Sequence, residues 1–150
     1  MSLLTVSSME SRWRGYEYYR DKKVRNVKRI DDMRVQGIVS GSRKEPYTTM
    51  IDLEHLRQSY CTCPHAAGRR IVCKHMVATF FTAFPEEAEK YYEEVEKAEE
   101  EWEAYQEELA DKLVKYVRSL EKKEAQDRLL EVLDFGPEWL WNRFVRDYVE

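Results

Sequence analysis

The stretch CTCPHAAGRRIVCKH, residues 61–75, decides how this chain folds. It contains all three cysteines of the protein, Cys61, Cys63 and Cys73, and it ends on His75. Three thiolates and one imidazole make a complete tetrahedral donor set for Zn²⁺, and closed Cys₃His sites of this type stabilise structure because no position is left for a reactive water. The pattern therefore predicts one structural zinc ion.

The other residues of this stretch offer one alternative ligand and several basic neighbours. His65 is the alternative ligand, but it follows Cys63 by only two residues and would strain the ligand loop. Three free thiols so close in sequence would be prone to oxidation, which favours the metal-bound interpretation. Arg69, Arg70 and Lys74 flank the ligands and are expected to temper the basicity of the thiolates.

A small antiparallel sheet is predicted before the ligands. Residues 24–30, 33–40 and 47–53 are strand-like, the last two with alternating apolar residues on either side of a turn with Gly41 and Pro46. A further strand through Tyr60 delivers the first ligand pair. Residues i and i+2 of an extended chain point to the same side, so Cys61 and Cys63 can bind one ion together.

Helical patterns account for most of the remaining chain. A capping box of Ser7 and Glu10 predicts a helix over 8–20, and apolar spacing predicts a second helix over 71–83 with Cys73 and His75 in its first turn. Residues i and i+2 diverge in the middle of a helix, so this ligand pair must lie where the helix begins. Three more helices are predicted over 85–118, over 120–134 and after Gly136-Pro137.

These elements predict an α+β fold in two parts. Residues 1–84 form a small antiparallel β-sheet and helix around one structural zinc, and residues 85–150 form an acidic helical extension. Trp102, Trp139 and Trp141 lie at positions that favour burial. We therefore expect the extension to pack on the zinc-binding part.

The net charge of −4 hides an uneven distribution. Residues 1–84 hold 15 Lys and Arg against 8 Asp and Glu, whereas residues 85–150 hold 10 against 21. A basic surface of this kind favours nucleic acid, because phosphate contacts release counterions; the alternative is an ordinary solvated surface. The candidate nucleic-acid contacts are Arg25, Lys28, Arg29, Arg34, Arg69, Arg70 and Lys74.

Several functional classes are not supported by the sequence. No apolar run is long enough for a membrane span, and the clustered odd cysteines favour a reducing cytoplasm over a disulfide framework. No nucleophile with a paired base, phosphate-binding glycine loop or open metal site is apparent, so we expect neither an enzyme nor a small-molecule substrate.

The ligand pattern Cys-x-Cys…Cys-x-His resembles the SWIM zinc finger of bacterial and archaeal Swi/Snf-type ATPases and plant transposases. The similarity to the prokaryotic form extends over residues 12–84. It is carried by Arg14, Gly15, Tyr18, Tyr19, Val35, Gly37, Val39, Gly41, Ser42, Tyr47, Ile51, the segment Cys61–Pro64 and the segment Cys73–Ala78.

The resemblance implies a non-enzymatic module that binds nucleic acid or protein. Together with the basic charge of the N-terminal half, the resemblance favours nucleic acid as the ligand, with DNA favoured over RNA. The alternative is a protein-interaction adaptor that joins a larger assembly such as a Swi/Snf-type ATPase, using the apolar stripe of residues 91–113. The chain has no Walker-type phosphate loop, so it does not carry the ATPase itself.

Overall fold

The computed structural model describes residues 3–149. In chain order its main elements are α1 (Met9–Arg20), β1 (Val24–Arg29), β2 (Arg34–Val39), β3 (Tyr47–Asp52), β4 (Tyr60–Cys61), α2 (Lys74–Ala83), α3 (Pro85–Ser119), α4 (Lys122–Phe135) and α5 (Glu138–Tyr148). The chain divides into two compact units, Met1–Glu96 and Lys97–Glu150. The predicted α+β class is confirmed.

The four strands of the first unit form one antiparallel sheet in the order β1-β2-β3-β4. Alternation along β2 and β3 places Val35, Val39 and Ile51 on the buried face. The intervening residues of these strands lie on the opposite face, which we call the outer sheet face. The hairpin predicted around residues 40–46 is confirmed, and β4 adds a fourth strand of only two residues.

Two glycines allow close packing of the elements that cover the buried face. A Cβ at Gly15 of α1 would lie 2.6 Å from Val77 of α2, and a Cβ at Gly37 would lie 2.7 Å from Thr79. Helix α2 therefore lies close to both α1 and β2. The resulting core also contains a hydrogen-bonded polar pair, Thr49 Oγ1 and Thr79 Oγ1, 2.7 Å apart.

The start of α1 differs from the prediction by one residue. Ser8 is the N-cap, and its hydroxyl accepts a hydrogen bond from the Ser11 N–H. Ser7 instead donates its hydroxyl hydrogen to the Leu4 carbonyl, because a short 3₁₀ turn at Leu3–Val6 precedes the helix. The capping box of Ser7 and Glu10 is therefore wrong, although the helix itself is confirmed.

The first turns of α3 contribute to the core of the first unit. Ala88 and Tyr91 are buried, and the Tyr91 ring stacks on Phe81 with centroids 5.5 Å apart. Tyr91 also lies 6.0 Å from the ring of Tyr16. Core packing thus continues past residue 84, where the sequence placed the domain boundary.

The second unit exposes much of its apolar surface. Trp102, Trp139 and Trp141 are 62%, 62% and 47% exposed, so the prediction that these side chains are buried is wrong. Among its described residues, Leu133 alone is buried. An amphipathic helical pattern identifies an apolar face, but it does not specify what covers that face. Within residues 3–149, no helix is long and apolar enough to cross a membrane.

Candidate metal centre and basic surface

The four predicted ligands come from two places in the first unit. Cys61 ends β4 and Cys63 lies in the following turn, whereas Cys73 is the N-cap of α2 and His75 is its second residue. The helix begins at Lys74, three residues later than predicted. Both ligands therefore lie where α2 begins, as the divergence of side chains in mid-helix requires.

The geometry of these side chains suits a metal ion. All four are buried, and their ligand atoms lie within 4.8 Å of one another. The His75 Nδ1 atom is 3.8 Å from Cys61 Sγ and 3.9 Å from Cys73 Sγ. Usual zinc–ligand bond lengths place tetrahedral S and N atoms about 3.6 Å apart. The donor set therefore fits a tetrahedral ion bound through Nδ1.

The protein environment favours a thiolate at Cys73. A hydrogen bond from the Cys61 thiol is the main influence that lowers the pKa of Cys73 below the usual value of a thiol, with further help from His75 and the Met76 backbone N–H. The Cys63 N–H donates a hydrogen bond to Cys61 Sγ over 3.4 Å. Metal ligation needs deprotonated sulfur, so Cys61 and Cys73 both give up their protons when an ion binds, and the Cys63 N–H then stabilises the Cys61 thiolate.

Two aromatic rings fix the orientation of His75. Its imidazole lies 4.7 Å from the Tyr47 ring and meets the Tyr18 ring edge-on at 5.3 Å. The buried Nε2 atom has no hydrogen-bond partner in the described part of the chain. Ring packing, rather than a carboxylate or carbonyl on Nε2, therefore keeps Nδ1 directed toward the sulfur atoms.

His65, the alternative ligand, lies outside this cluster. It is exposed in the turn that follows Cys63, and the converging donor group does not include it. Lys74 lies next to the ligands, with its ammonium 4.5 Å from the centroid of the Tyr18 ring. Lys23 approaches the same ring at the same distance. The positive charges of Lys23 and Lys74 therefore both lie against the ring of Tyr18, which packs on the ligand His75.

Three of the candidate basic residues share the outer sheet face. Arg25 pairs with Ile38, Lys28 with Gln36 and Arg34 with Asp52 across the strands, and directly paired residues point to the same side. The Arg34 guanidinium forms a salt bridge with the Asp31 carboxylate, which also accepts hydrogen bonds from the backbone N–H groups of Met33 and Arg34. The hydrogen bond from the Arg34 side chain is the main cause that lowers the pKa of Asp31.

The remaining basic candidates lie elsewhere. Arg29 points toward α2, donates a hydrogen bond to the Ala83 carbonyl and stacks on Phe84 with its guanidinium 4.5 Å from the ring centroid. Arg69 and Arg70 are exposed in the loop between the two ligand pairs. The structure thus places Arg25 and Lys28 on the outer sheet face, and Arg69 and Arg70 in the exposed loop between the two ligand pairs.

One surface residue was not identified from the sequence. Tyr60 pairs with Met50 on the outer sheet face and is 46% exposed. The signal was present, because Tyr60 immediately precedes Cys61, and neighbouring strand residues point to opposite faces. Because the Cys61 side chain points inward to the ligand cluster, the Tyr60 side chain must point outward.

Comparison with known proteins identifies the metal-binding region. Residues 47–84 match the family model of the SWIM zinc finger, which covers β3, β4, the ligand loop and α2. No curated protein and no solved structure matches the chain. The resemblance carried by the ligand spacing is confirmed over this range.

Proposed function

Because residues 47–84 form a SWIM zinc finger whose ligands converge, we propose that the chain is a non-enzymatic zinc-binding module that contacts nucleic acid, DNA in preference to RNA, through its basic N-terminal unit. Bound Zn²⁺ would cross-link the turn after β4 to the start of α2. All four donors come from the protein, so the ion has a structural role.

The observation that carries the proposal is a set of exposed cations without acidic partners. Arg25, Lys28, Arg69 and Arg70 are all exposed, and within residues 3–149 none of them forms an ion pair. Unpaired guanidinium and ammonium groups can neutralise phosphates without first breaking an internal salt bridge. Binding of this type is electrostatic and depends little on sequence.

The outer sheet face also carries apolar side chains. Tyr60, Met50 and Ile38 lie on the same face as Arg25 and Lys28. Tyr60 lies on β4, at the opposite edge of the sheet from Arg25 and Lys28 on β1. An exposed aromatic ring on a basic surface can stack on an unpaired base, and such stacking is tolerant of base identity. Tyr60 thus supports contact with single-stranded segments in addition to duplex backbone.

The test is a fluorescence-anisotropy titration of zinc-loaded protein against single-stranded and double-stranded oligonucleotides at two salt concentrations. We expect weak binding that falls steeply with salt. The combined variant Arg25→Gln and Lys28→Gln should weaken it, whereas the control Arg128→Gln, which removes an exposed pair with Glu131 in α4, should not. Failure of the full chain to bind either oligonucleotide at low salt would contradict the proposal.

A second candidate function is a protein-interaction adaptor that joins a larger assembly, such as a Swi/Snf-type ATPase. It is favoured by the exposure of large apolar side chains on α3. Stable co-purification with a different protein, together with no nucleic-acid binding, would favour this candidate over the first.

A further inference from the structure

The second unit exposes a continuous apolar stripe on α3. We call it the α3 stripe: Trp102, Tyr105, Leu109, Leu113, Tyr116 and Val117. Steps of three and four residues keep these side chains on one helical face. Each is between 46% and 62% exposed, and the rings of Trp102 and Tyr105 lie 5.9 Å apart.

The exposed area of the α3 stripe is large for a single chain. A fully buried aromatic side chain removes roughly 150–250 Å² from water, so six half-exposed large side chains leave roughly 600 Å² available. The largest apolar patch on a monomeric soluble protein is about 300–600 Å² and is often functional. The α3 stripe therefore indicates an interface.

The charges along α3 restrict what can cover the stripe. Residues 98–109 contain six glutamates and no Lys or Arg, whereas residues 110–119 contain Lys112, Lys115 and Arg118 against one acidic residue, Asp111. Two copies packed in parallel would place the glutamate-rich segments side by side. Two antiparallel copies instead place each acidic segment beside the basic end of the other.

We propose that the α3 stripe is a homodimer interface, in which two copies of α3 pack antiparallel about Leu109. With Leu109 on the two-fold axis, Trp102 faces Tyr116 of the second copy and Tyr105 faces Leu113 of the second copy. An aromatic or branched side chain thus opposes every stripe residue near the centre.

The charged residues beside the stripe match the same register. Glu101, Glu108, Lys112 and Lys115 lie along one flank, where Lys112 Nζ and Glu108 Oε1 are 2.6 Å apart within the helix. In a two-fold antiparallel pair, this flank of one copy lies against the same flank of the second copy. Glu101 then comes within reach of Lys115 of the second copy, and Glu108 within reach of Lys112 of the second copy.

The interface is large enough for a specific dimer. The stripes of two copies together bury about 1,200 Å², at the lower end of the range for stable protein–protein interfaces. We expect this two-fold pair to dissociate on dilution, because interfaces at the low end of the size range are typical of weaker complexes.

The first test is sedimentation equilibrium of the zinc-loaded full chain over a range of concentrations. We expect a concentration-dependent dimer. Leu109→Glu, which places a charge on the axis, should give a monomer with unchanged helical circular dichroism. The matched control Ala104→Glu adds the same charge on the opposite face of α3 and should dimerise like the original chain. A monomer at every concentration, or dimerisation of Leu109→Glu equal to that of the control, would overturn the proposal.

A charge exchange tests the direction of pairing without altering the apolar stripe. Glu101→Lys or Lys115→Glu alone should weaken the dimer about tenfold, because each change places like charges together twice in the symmetric pair. The double variant should recover most of the affinity. Glu100→Lys, on the opposite face, is the control and should have no effect. A double variant weaker than both single variants would exclude the antiparallel arrangement, and a stripe occupied only by a different protein would exclude the homodimer.

Discussion

Tyr60 and Cys61 are neighbours in β4 and project to opposite faces of the sheet. The Cys61 thiol is buried beside Cys73 and His75, whereas the Tyr60 ring lies on the outer sheet face opposite Met50. A strand of only two residues thus links the metal centre to the surface proposed to contact nucleic acid. Loss of the metal is therefore expected to disturb both.

The first prediction concerns metal content. We expect one zinc per chain, and removal of the ion should unfold the region of residues 55–84, because structural zinc contributes on the order of 10 kcal/mol in small modules. Elemental analysis and thermal melting with and without chelator measure this. Protein purified without chelator but lacking metal would contradict it.

Ligand identity can be tested with a matched pair of variants. Cys73→Ser should lose zinc and the cooperative thermal transition. His65→Ala should retain both, because His65 is exposed and lies outside the converging donors. An unchanged transition in Cys73→Ser would contradict the assignment of this ligand.

The second prediction concerns Gly15. Alanine normally favours a helix by up to about 1 kcal/mol over glycine. At this position, however, the new Cβ would lie 2.6 Å from Val77 Cβ and 3.0 Å from the Lys74 carbonyl oxygen. We expect Gly15→Ala to lower the free energy of unfolding by about 1–3 kcal/mol.

Urea denaturation of Gly15→Ala beside Arg14→Ala provides the comparison. Arg14 is exposed and forms only a 3.1 Å ion pair with Glu10, so its removal should change stability by less than about 0.5 kcal/mol. Equal or greater stability of Gly15→Ala would show that α1 and α2 do not pack this closely.

The third prediction places the end of the first folded unit. A chain that stops at Glu96 should remain folded, whereas one that stops at Phe84 should be less stable because it lacks Ala88 and Tyr91. Loss of a buried Tyr91 alone removes about 1.5–3 kcal/mol of apolar stabilisation. Chemical denaturation of the two zinc-loaded chains measures the difference, and equal stability would contradict the contribution of α3.

Much of the first unit follows from short sequence patterns. The alternation in β2 and β3 and the spacing of Cys61, Cys63, Cys73 and His75 reflect local geometry, which is why the strands and the ligand set were predictable. The two-residue β4 is too short to produce a periodic signal, and the strand through Tyr60 was predictable only from the spacing of Cys61 and Cys63. The N-cap of α1 was misplaced because Ser7 and Ser8 are both good caps, and only the preceding 3₁₀ turn decides between them.

The surface was less predictable than the core. Arg29 and Arg34 occur in basic strand-like segments like Arg25 and Lys28, yet one is bound to the end of α2 and the other to Asp31. Such pairings depend on residues distant in sequence or on the exact shape of a turn. The exposure of Trp102, Trp139 and Trp141 has a related cause, since the sequence pattern of a helix marks an apolar face but not its partner.

The fourth prediction separates base stacking from phosphate contact. Tyr60→Ala should weaken binding to single-stranded oligonucleotides by about 1–3 kcal/mol, because a stacking partner is removed. Binding to duplex should change little, since paired bases cannot reach the ring. Tyr60→Phe, which retains the aromatic face, is the control, and equal losses on both oligonucleotides in Tyr60→Ala would argue against stacking.

The last prediction concerns the salt dependence of duplex binding. Each neutralised phosphate adds about 0.9 to the magnitude of the slope of log affinity against log salt concentration. Replacing Arg69 and Arg70 together with glutamine should therefore flatten this slope by about 1–2 units. Zinc content should be unchanged, because neither residue is a ligand. The paired residue Arg14 provides the control, and Arg14→Gln should leave the slope near its original value. A slope that stays constant in the double variant would place the phosphate contacts elsewhere, with Arg25 and Lys28 on the outer sheet face as the next residues to replace.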